Sequence, residues 1–285
     1  MNEQVKGTAF TLSGMALMSL DAIFVRFSGL GGFGASFLFG MFSMISMAFV
    51  TQIYGKGVPD AIKKGGLVLV FSGMVMGGSG TTFVLAVQET TIANVVLIMT
   101  TSAVFSSIYS RFLLGEKTSL STWAAVMVSI LGVYIIVRGS LGGHGLLGDM
   151  YALAAAMFSS LNYVIWRKYP QISRTMAISF GGFFIMLFSS FGTDFGSFSV
   201  VSVLVMAAMG LLSAPIGRAF ISTAARHITA MEISLYTLTR TVLVPFLAWL
   251  FFTEIPPAQT FAGGAVIICA ITAHSLFMMR RAGAK

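Results

Sequence analysis

The chain has 285 residues, 56% of them hydrophobic and 9% charged, with a mean hydropathy of +0.91. Soluble domains are about one quarter charged, so a soluble fold is excluded. The net charge of +8 would suggest nucleic acid in a soluble protein, but its distribution along the chain has a topological explanation and no nucleic-acid partner is expected.

A hydrocarbon core of about 30 Å is crossed by roughly 20 apolar residues, which allows about ten spans with short loops and no separate domain. The opening MNEQVKG runs into an apolar stretch without a small-residue cleavage site, so the first helix is expected to be retained. Apolar runs bounded by Gly, Pro and charged clusters predict helices over 7–27, 33–54, 66–87, 91–114, 121–139, 147–167, 174–192, 200–224, 229–252 and 257–279. With a cytoplasmic N-terminus, thirteen basic residues fall inside and only Arg26 and Arg138 outside, the last two, Arg218 and Arg240, lying within spans. Cytoplasmic loops carry the excess of Lys and Arg, so both termini are expected in the cytoplasm of a bacterial-type inner membrane. The single cysteine, Cys269, excludes an intrachain disulfide and is expected to pack in an apolar span.

The chain repeats itself. At an offset of 138, TTIANVVLIMTTSAVFSSIYSRFLLGEKTSLSTW lies over ITAMEISLYTLTRTVLVPFLAWLFFTEIPPAQTF without a gap, pairing Thr91 with Thr229, Asn94 with Glu232, Glu116 with Glu254 and Thr122 with Thr260. At an offset of 141, LMSLDAIFVRF lies over FSSLNYVIWRK, pairing Asp21 with Asn162 and Arg26 with Arg167. Each half holds an odd number of spans, so the second enters the membrane in the opposite sense. The expectation is an all-α integral membrane protein of ten transmembrane helices in two inverted five-helix repeats, residues 1–140 and 141–285, forming one membrane domain. Inverted repeats around a midplane site are a recurring design for alternating access.

These segments resemble the EamA-type ten-helix members of the drug/metabolite transporter superfamily, over nearly the whole chain and most specifically in the fourth–fifth and ninth–tenth spans. The second copy departs in having Thr253-Glu254 for Gly-Glu. Ala103 stands where many members carry proline, and Arg240-Thr241 where a Glu-Pro pair is common. The resemblance implies a basket of ten helices with a substrate cavity between the halves, lined by the first, third, fourth, sixth, eighth and ninth. It does not imply a substrate.

Ionisable groups inside a bilayer are costly and are functional candidates by default; Asp21, Arg218, Glu232 and Arg240 qualify. Arg240, about halfway along the ninth span, presents a planar fork suited to a carboxylate. It is either an anchor for an anionic substrate group or half of an internal ion pair with Asp21 or Glu232. Glu232, Tyr236 and Arg240 form a drifting stripe at spacings of four. Arg218 reads as a salt bridge or a snorkelled side chain, and Asp21 as a coupling carboxylate or a paired structural one. Asn94 and Asn162 serve either substrate polar groups or interhelical hydrogen bonds. Tyr163, Trp166, Tyr109 and Trp249 line a cavity or form interface belts, with belts favoured for the tryptophans. Glu116 and Glu254 read as helix-start anchors, and His274 as packed or solvated. Pro215, Pro245 and the glycine run around Gly77 allow bending or close helix approach.

The function expected is a secondary transporter of a small organic solute bearing a carboxylate, an amino acid, organic anion or similar metabolite, working by alternating access as a monomer or homodimer in the lipid bilayer. The alternatives are an exporter of drugs or of cationic or neutral metabolites, and a facilitative, channel-like uniporter. An enzyme is disfavoured, because the sequence holds neither a metal cluster nor a nucleophile–base arrangement. No cofactor or ATPase motif is present, so transport is facilitated or coupled to a proton or other ion gradient.

Overall fold

A bilayer core offers no water to a backbone N–H or C=O, so a spanning segment must satisfy its hydrogen bonds within itself, and the apolar runs do so as helices. The computed structural model describes residues 3–55, 57–115, 120–140, 145–224 and 230–283, with the side chains of 218 and 230–239 among those outside the description. The described residues are almost entirely helical: α1 (Glu3–Ser19), α2 (Asp21–Phe27), α3 (Gly32–Tyr54), α4 (Val58–Glu89), α5 (Ile92–Met99), α6 (Ser102–Leu114), α7 (Leu120–Ser140), α8 (Leu146–Lys168), α9 (Arg174–Ser190), α10 (Val200–Ala207), α11 (Ala214–Ala224), α12 (Ala230–Phe252) and α13 (Ala258–Gly283). A π-helical segment, Ala208–Ser213, joins α10 to α11.

Five stretches, Val5–Phe27, Gly32–Tyr54, Val58–Glu89, Ile92–Leu114 and Val200–Gly217, are long and apolar enough to cross a membrane, and shorter apolar helices accompany them. The chain is a multi-pass membrane protein. Its surface chemistry agrees: Leu67, Phe112 and Phe191 stand more than 70% exposed, whereas Ser36, Ser72, Ser160 and Ser189 are completely buried. Large apolar groups face outward and small polar ones lie inside, where Ser72 and Ser160 bond neighbouring helices, the reverse of a soluble core.

The helix ends follow local chemistry. Thr91 caps α5 by accepting from the Asn94 N–H, and Ser199 and Ser202 form a capping box at α10. Gly66 takes φ +50° and splits α4 into a short leading segment, with Asp60 paired to Lys64 at 2.9 Å, and a long apolar one. Only glycine adopts that backbone without strain.

The helices pair in an ordered way. α3 packs on α9 and α7 on α13, α1 packs on α11 and α4 on α8, and α1 also meets α12 while α6 meets α8. Two crossings depend on glycine. A Cβ on Gly40 would lie 2.6 Å from the Gly182 carbonyl oxygen, and one on Gly263 2.5 Å from that of Gly132, so each pair of backbones touches as small-residue membrane contacts do. Gly77 belongs with them: its Cβ would meet that of Phe184 at 2.4 Å. The departure from helical geometry in α4 falls at Gly66, and Gly77 serves the close approach to α9 that the glycine run suggested.

Candidate transport site

Two polar zones stand out in the bundle. The first is a break in the opening helix. α1 ends at Ser19 and α2 begins at Asp21, so the regular ladder is interrupted there, although the Leu17 carbonyl still accepts from the Leu20 N–H at 3.0 Å. Elements from the far end of the sequence supply further donors. Arg240 on α12 donates from Nη2 to the Met18 carbonyl at 2.8 Å. Ser213 Oγ lies 2.9 Å from both the Leu17 carbonyl and Asp21 Oδ1 and donates its single hydrogen to either. Asp21 is buried, 9% exposed.

The local sequence explains why Ser213 reaches the break. Pro215 has no N–H to give to the preceding turn, and the six residues Ala208–Ser213 widen into a π-helical turn just ahead of it; such turns recur at functional sites. Gly217 lets α11 lie on α1, where its Cβ would be 3.2 Å from the Gly14 carbonyl oxygen. The hinge expected at Pro215 thus coincides with an altered helix, whereas Pro245 sits inside a continuous α12. Arg240 keeps one donor in reserve, since its Nε is buried without a hydrogen-bond partner.

The second zone closes one end of the bundle. Arg26, at the end of α2, donates from Nε to the Val87 carbonyl at 2.7 Å and from Nη2 to the Thr90 carbonyl at 2.6 Å, capping the end of α4. Its Nη1 lies 3.5 Å from Glu254 Oε2. Glu254 in turn accepts from the Ile92 N–H at 2.7 Å, at the start of α5. Deeper, Asp149 on α8 accepts at Oδ1 from Thr90 Oγ1 at 2.8 Å and from Asn94 Nδ2 at 3.0 Å, and Thr260 Oγ1 donates to Asn94 Oδ1 at 2.6 Å. Gly148 permits this, because a Cβ there would collide with Thr90 N at 2.6 Å. Burial raises the Glu254 pKa above the ordinary glutamate value, against the opposing pull of Arg26 and of the Ile92 N–H.

Several sequence expectations are redirected by these contacts. Asn94 belongs to the second zone, bonded to Asp149 and Thr260, and not to the Arg240 site. Asn162 is buried in a third place, where its Oδ1 accepts from Ser72 Oγ at 2.7 Å. Tyr163 is 56% exposed and edge-on to Trp166, on the outward face of α8, so lining a site is not its place here. Trp166 is no simple belt residue: its indole N–H donates to Ser72 Oγ at 2.9 Å. Cys269 is exposed and not packed. Arg218, Glu232 and Tyr236 lie in α11 and α12, and their side chains, like those of Glu116 and His274, fall outside the described residues. Glu254 does anchor a helix start, but that of α5 in the other half of the chain. Asp149 escaped notice although it lies within the expected 147–167 span, and an ionisable residue two positions inside a span was the available signal. A groove of about 690 Å³ between α3 and α9, lined by Met44, Phe49, Met176 and Phe180 among others, is apolar and includes neither zone.

Residues 5–138 match the EamA-like transporter family. The chain is 25% identical over 241 residues to a Bacillus subtilis protein named as the uncharacterised transporter YdfC, covering 81% of this chain and 76% of that one. It is also 25% identical over 197 residues to the pseudopaline exporter CntI of Pseudomonas aeruginosa, covering 67% and 68% of the two chains. A solved crystal structure superposes with a TM-score of 0.67 over 98% of this chain and 99% of that chain at 16% identity, a likeness of fold alone. Both relatives are named as transporters, and the similarity to the EamA-like transporter family covers residues 5–138 of this chain.

Proposed function

We infer that this protein is a secondary transporter that carries a small organic solute bearing a carboxylate across the inner membrane by alternating access of two inverted five-helix repeats. The observation that carries the solute class is Arg240: a half-buried guanidinium at an interrupted helix, with its buried Nε unpartnered and only the Met18 carbonyl as its described acceptor. Broken helices are where membrane transporters bind substrates and ions, and a guanidinium with a free donor favours an anion. The pseudopaline exporter among the relatives favours export of a metabolite as the direction.

Three features support the inverted repeat. Exchanging the halves maps α3·α9 and α7·α13 onto themselves and α1·α11 onto α8·α4, and α1·α12 has its counterpart in the contact of α8 with α6. Gly115 and Thr253, which the 138-residue offset superposes, both adopt left-handed backbone, φ +69° and +52°. The charge distribution, finally, assigns the Arg26–Glu254 end to the outside.

A ligand-stabilisation screen of the purified protein tests the reading, run over amino acids, organic acids, nucleosides and quaternary amines with wild type and Arg240→Ala. The expected hits are carboxylates whose stabilisation is lost in the variant. A screen dominated by cations, or carboxylate hits indifferent to Arg240, sinks the anchor role.

A further inference from the structure

We propose that the Arg26–Asp149–Glu254 cluster is a proton-binding site that holds one exchangeable proton, taken by the carboxyl group of either Asp149 or Glu254. The first ground is geometric. Asp149 is 1% exposed, and its Oδ2 is buried with no hydrogen-bond partner, as is Glu254 Oε2. Asp149 thus has one oxygen satisfied by donors and one bare, and a bare carboxylate oxygen in a dry site is costly unless it carries a hydrogen, whereas Glu254 Oε2 has Arg26 Nη1 at 3.5 Å as its counter-charge.

The second ground is charge. The cluster contains two carboxyl groups and one guanidinium, and Arg26 is the only cation paired with either carboxyl among the described residues. Fully ionised, the site carries a net charge of −1, and a single proton makes it neutral. The donors around Asp149, Thr90 Oγ1 and Asn94 Nδ2, are neutral and leave that balance unchanged. Of the other ionisable groups toward this end, Glu89 on α4, Arg138 on α7 and Asp194 before α10 are exposed to solvent, and His144 lies outside the described residues.

The site is also reachable. The Arg26 and Glu254 side chains are 27% and 13% exposed, so the surface is reached on the Glu254 side of the cluster while Asp149 lies behind it. The raised pKa of Glu254 is consistent with this placement. Under the transporter reading the consequence is direct. Arg26–Glu254, Ile92–Glu254, Thr90–Asp149, Asn94–Asp149 and Asn94–Thr260 all join the first half of the chain to the second. Proton uptake neutralises the surplus negative charge of the closed cluster and steadies that joint, and release of the proton weakens it.

Infrared difference spectroscopy of the purified full chain tests the site without any solute flux, so its outcome is separate from that of the transport reading. Wild type is expected to show a protonated-carboxyl stretch that disappears only above the pH at which exposed carboxylates have ionised. That band is expected to be lost or moved in Asp149→Asn and in Glu254→Gln, each checked for folding by thermal melting. Arg26→Gln, which removes the stabilising cation, should raise the band's midpoint by about 1–3 pH units, and Arg26→Lys should hold it. If Asp149→Asn does not fold, wild type and Glu254→Gln decide the matter. No such band in wild type, or a wild-type band persisting unchanged in both carboxyl variants, overturns the proposal.

Discussion

The helix break beside Arg240 and the cluster around Arg26 are built from the same materials and have opposite deficits. At the break, a guanidinium caps an orphaned carbonyl and has a donor left over. At the cluster, a guanidinium likewise caps two carbonyls, but two carboxyl groups surround it and acceptor oxygens are left over. The first has a donor unused and the second acceptors unused. Polar groups in a membrane span are tolerated where something satisfies them, so the sign of the unsatisfied atoms indicates what each zone awaits. The break is suited to an anionic group of a solute, the cluster to a proton.

The comparison yields graded predictions. The largest effect is expected from Arg26→Ala, which leaves Glu254 and the end of α4 without their cation. Removing one partner of a fully buried pair costs about 3–5 kcal/mol. Since this pair is partly exposed and screened, a loss of about 2 kcal/mol is expected in thermal or denaturant melting. An unaltered melting curve would show that the cluster does not hold the halves together. Next, Arg240→Ala should weaken binding of a carboxylate solute by about 10- to 100-fold, the equivalent of the 1.5–3 kcal/mol of a charge-assisted hydrogen bond, with little loss of stability. A collapse in stability without a selective loss of binding would make Arg240 structural and erase the contrast between the zones.

The pH dependence comes third and follows from the sign of the Glu254 shift. Its folded pKa is raised by burial, so the folded state binds the proton more tightly than the unfolded chain does. The associated stability is complete below the ordinary glutamate range and is lost as pH rises through the raised folded value. The melting temperature of wild type relative to Glu254→Gln should therefore fall as pH rises across that window, and a difference rising with pH would contradict the assignment. The smallest effect concerns Thr253, which holds φ +52° where its repeat partner is a glycine. Left-handed backbone costs a non-glycine residue about 1–2 kcal/mol, offset in part by the greater chain entropy of glycine. Thr253→Gly should stabilise the protein by about 0.5–1 kcal/mol, read as a small rise in melting temperature.

The spans were legible because apolar runs of that length have few alternatives to helix, and the observed helices begin and end within a few residues of the expected bounds for α3, α8 and α9. The breaks were not. MSLDAIF contains neither Gly nor Pro, and the opening helix yields at Leu20 where Ser213 and Arg240, nearly two hundred residues on or more, bond the Leu17 and Met18 carbonyls. Such a break is a tertiary event without a local signature. The repeat had already singled out Arg26, Asn94, Glu254 and Thr260, four members of the cluster, but pairing a residue with its counterpart in the other half does not show what it touches. Asn94 and Glu254 were therefore read as interhelical glue or a local anchor. Their repeat counterparts, Glu232 and Glu116, with Arg167 and Thr122, carry a related set of side chains into the other half.

The central claim, that a carboxylate-bearing solute is carried past Arg240, is tested most directly by counterflow in proteoliposomes with a labelled hit from the binding screen. The account predicts saturable exchange of carboxylate solutes by wild type, reduced at least tenfold in Arg240→Gln in protein that melts like wild type. Exchange of carboxylates at wild-type rate and affinity by Arg240→Gln, or exchange confined to cationic solutes, would contradict it.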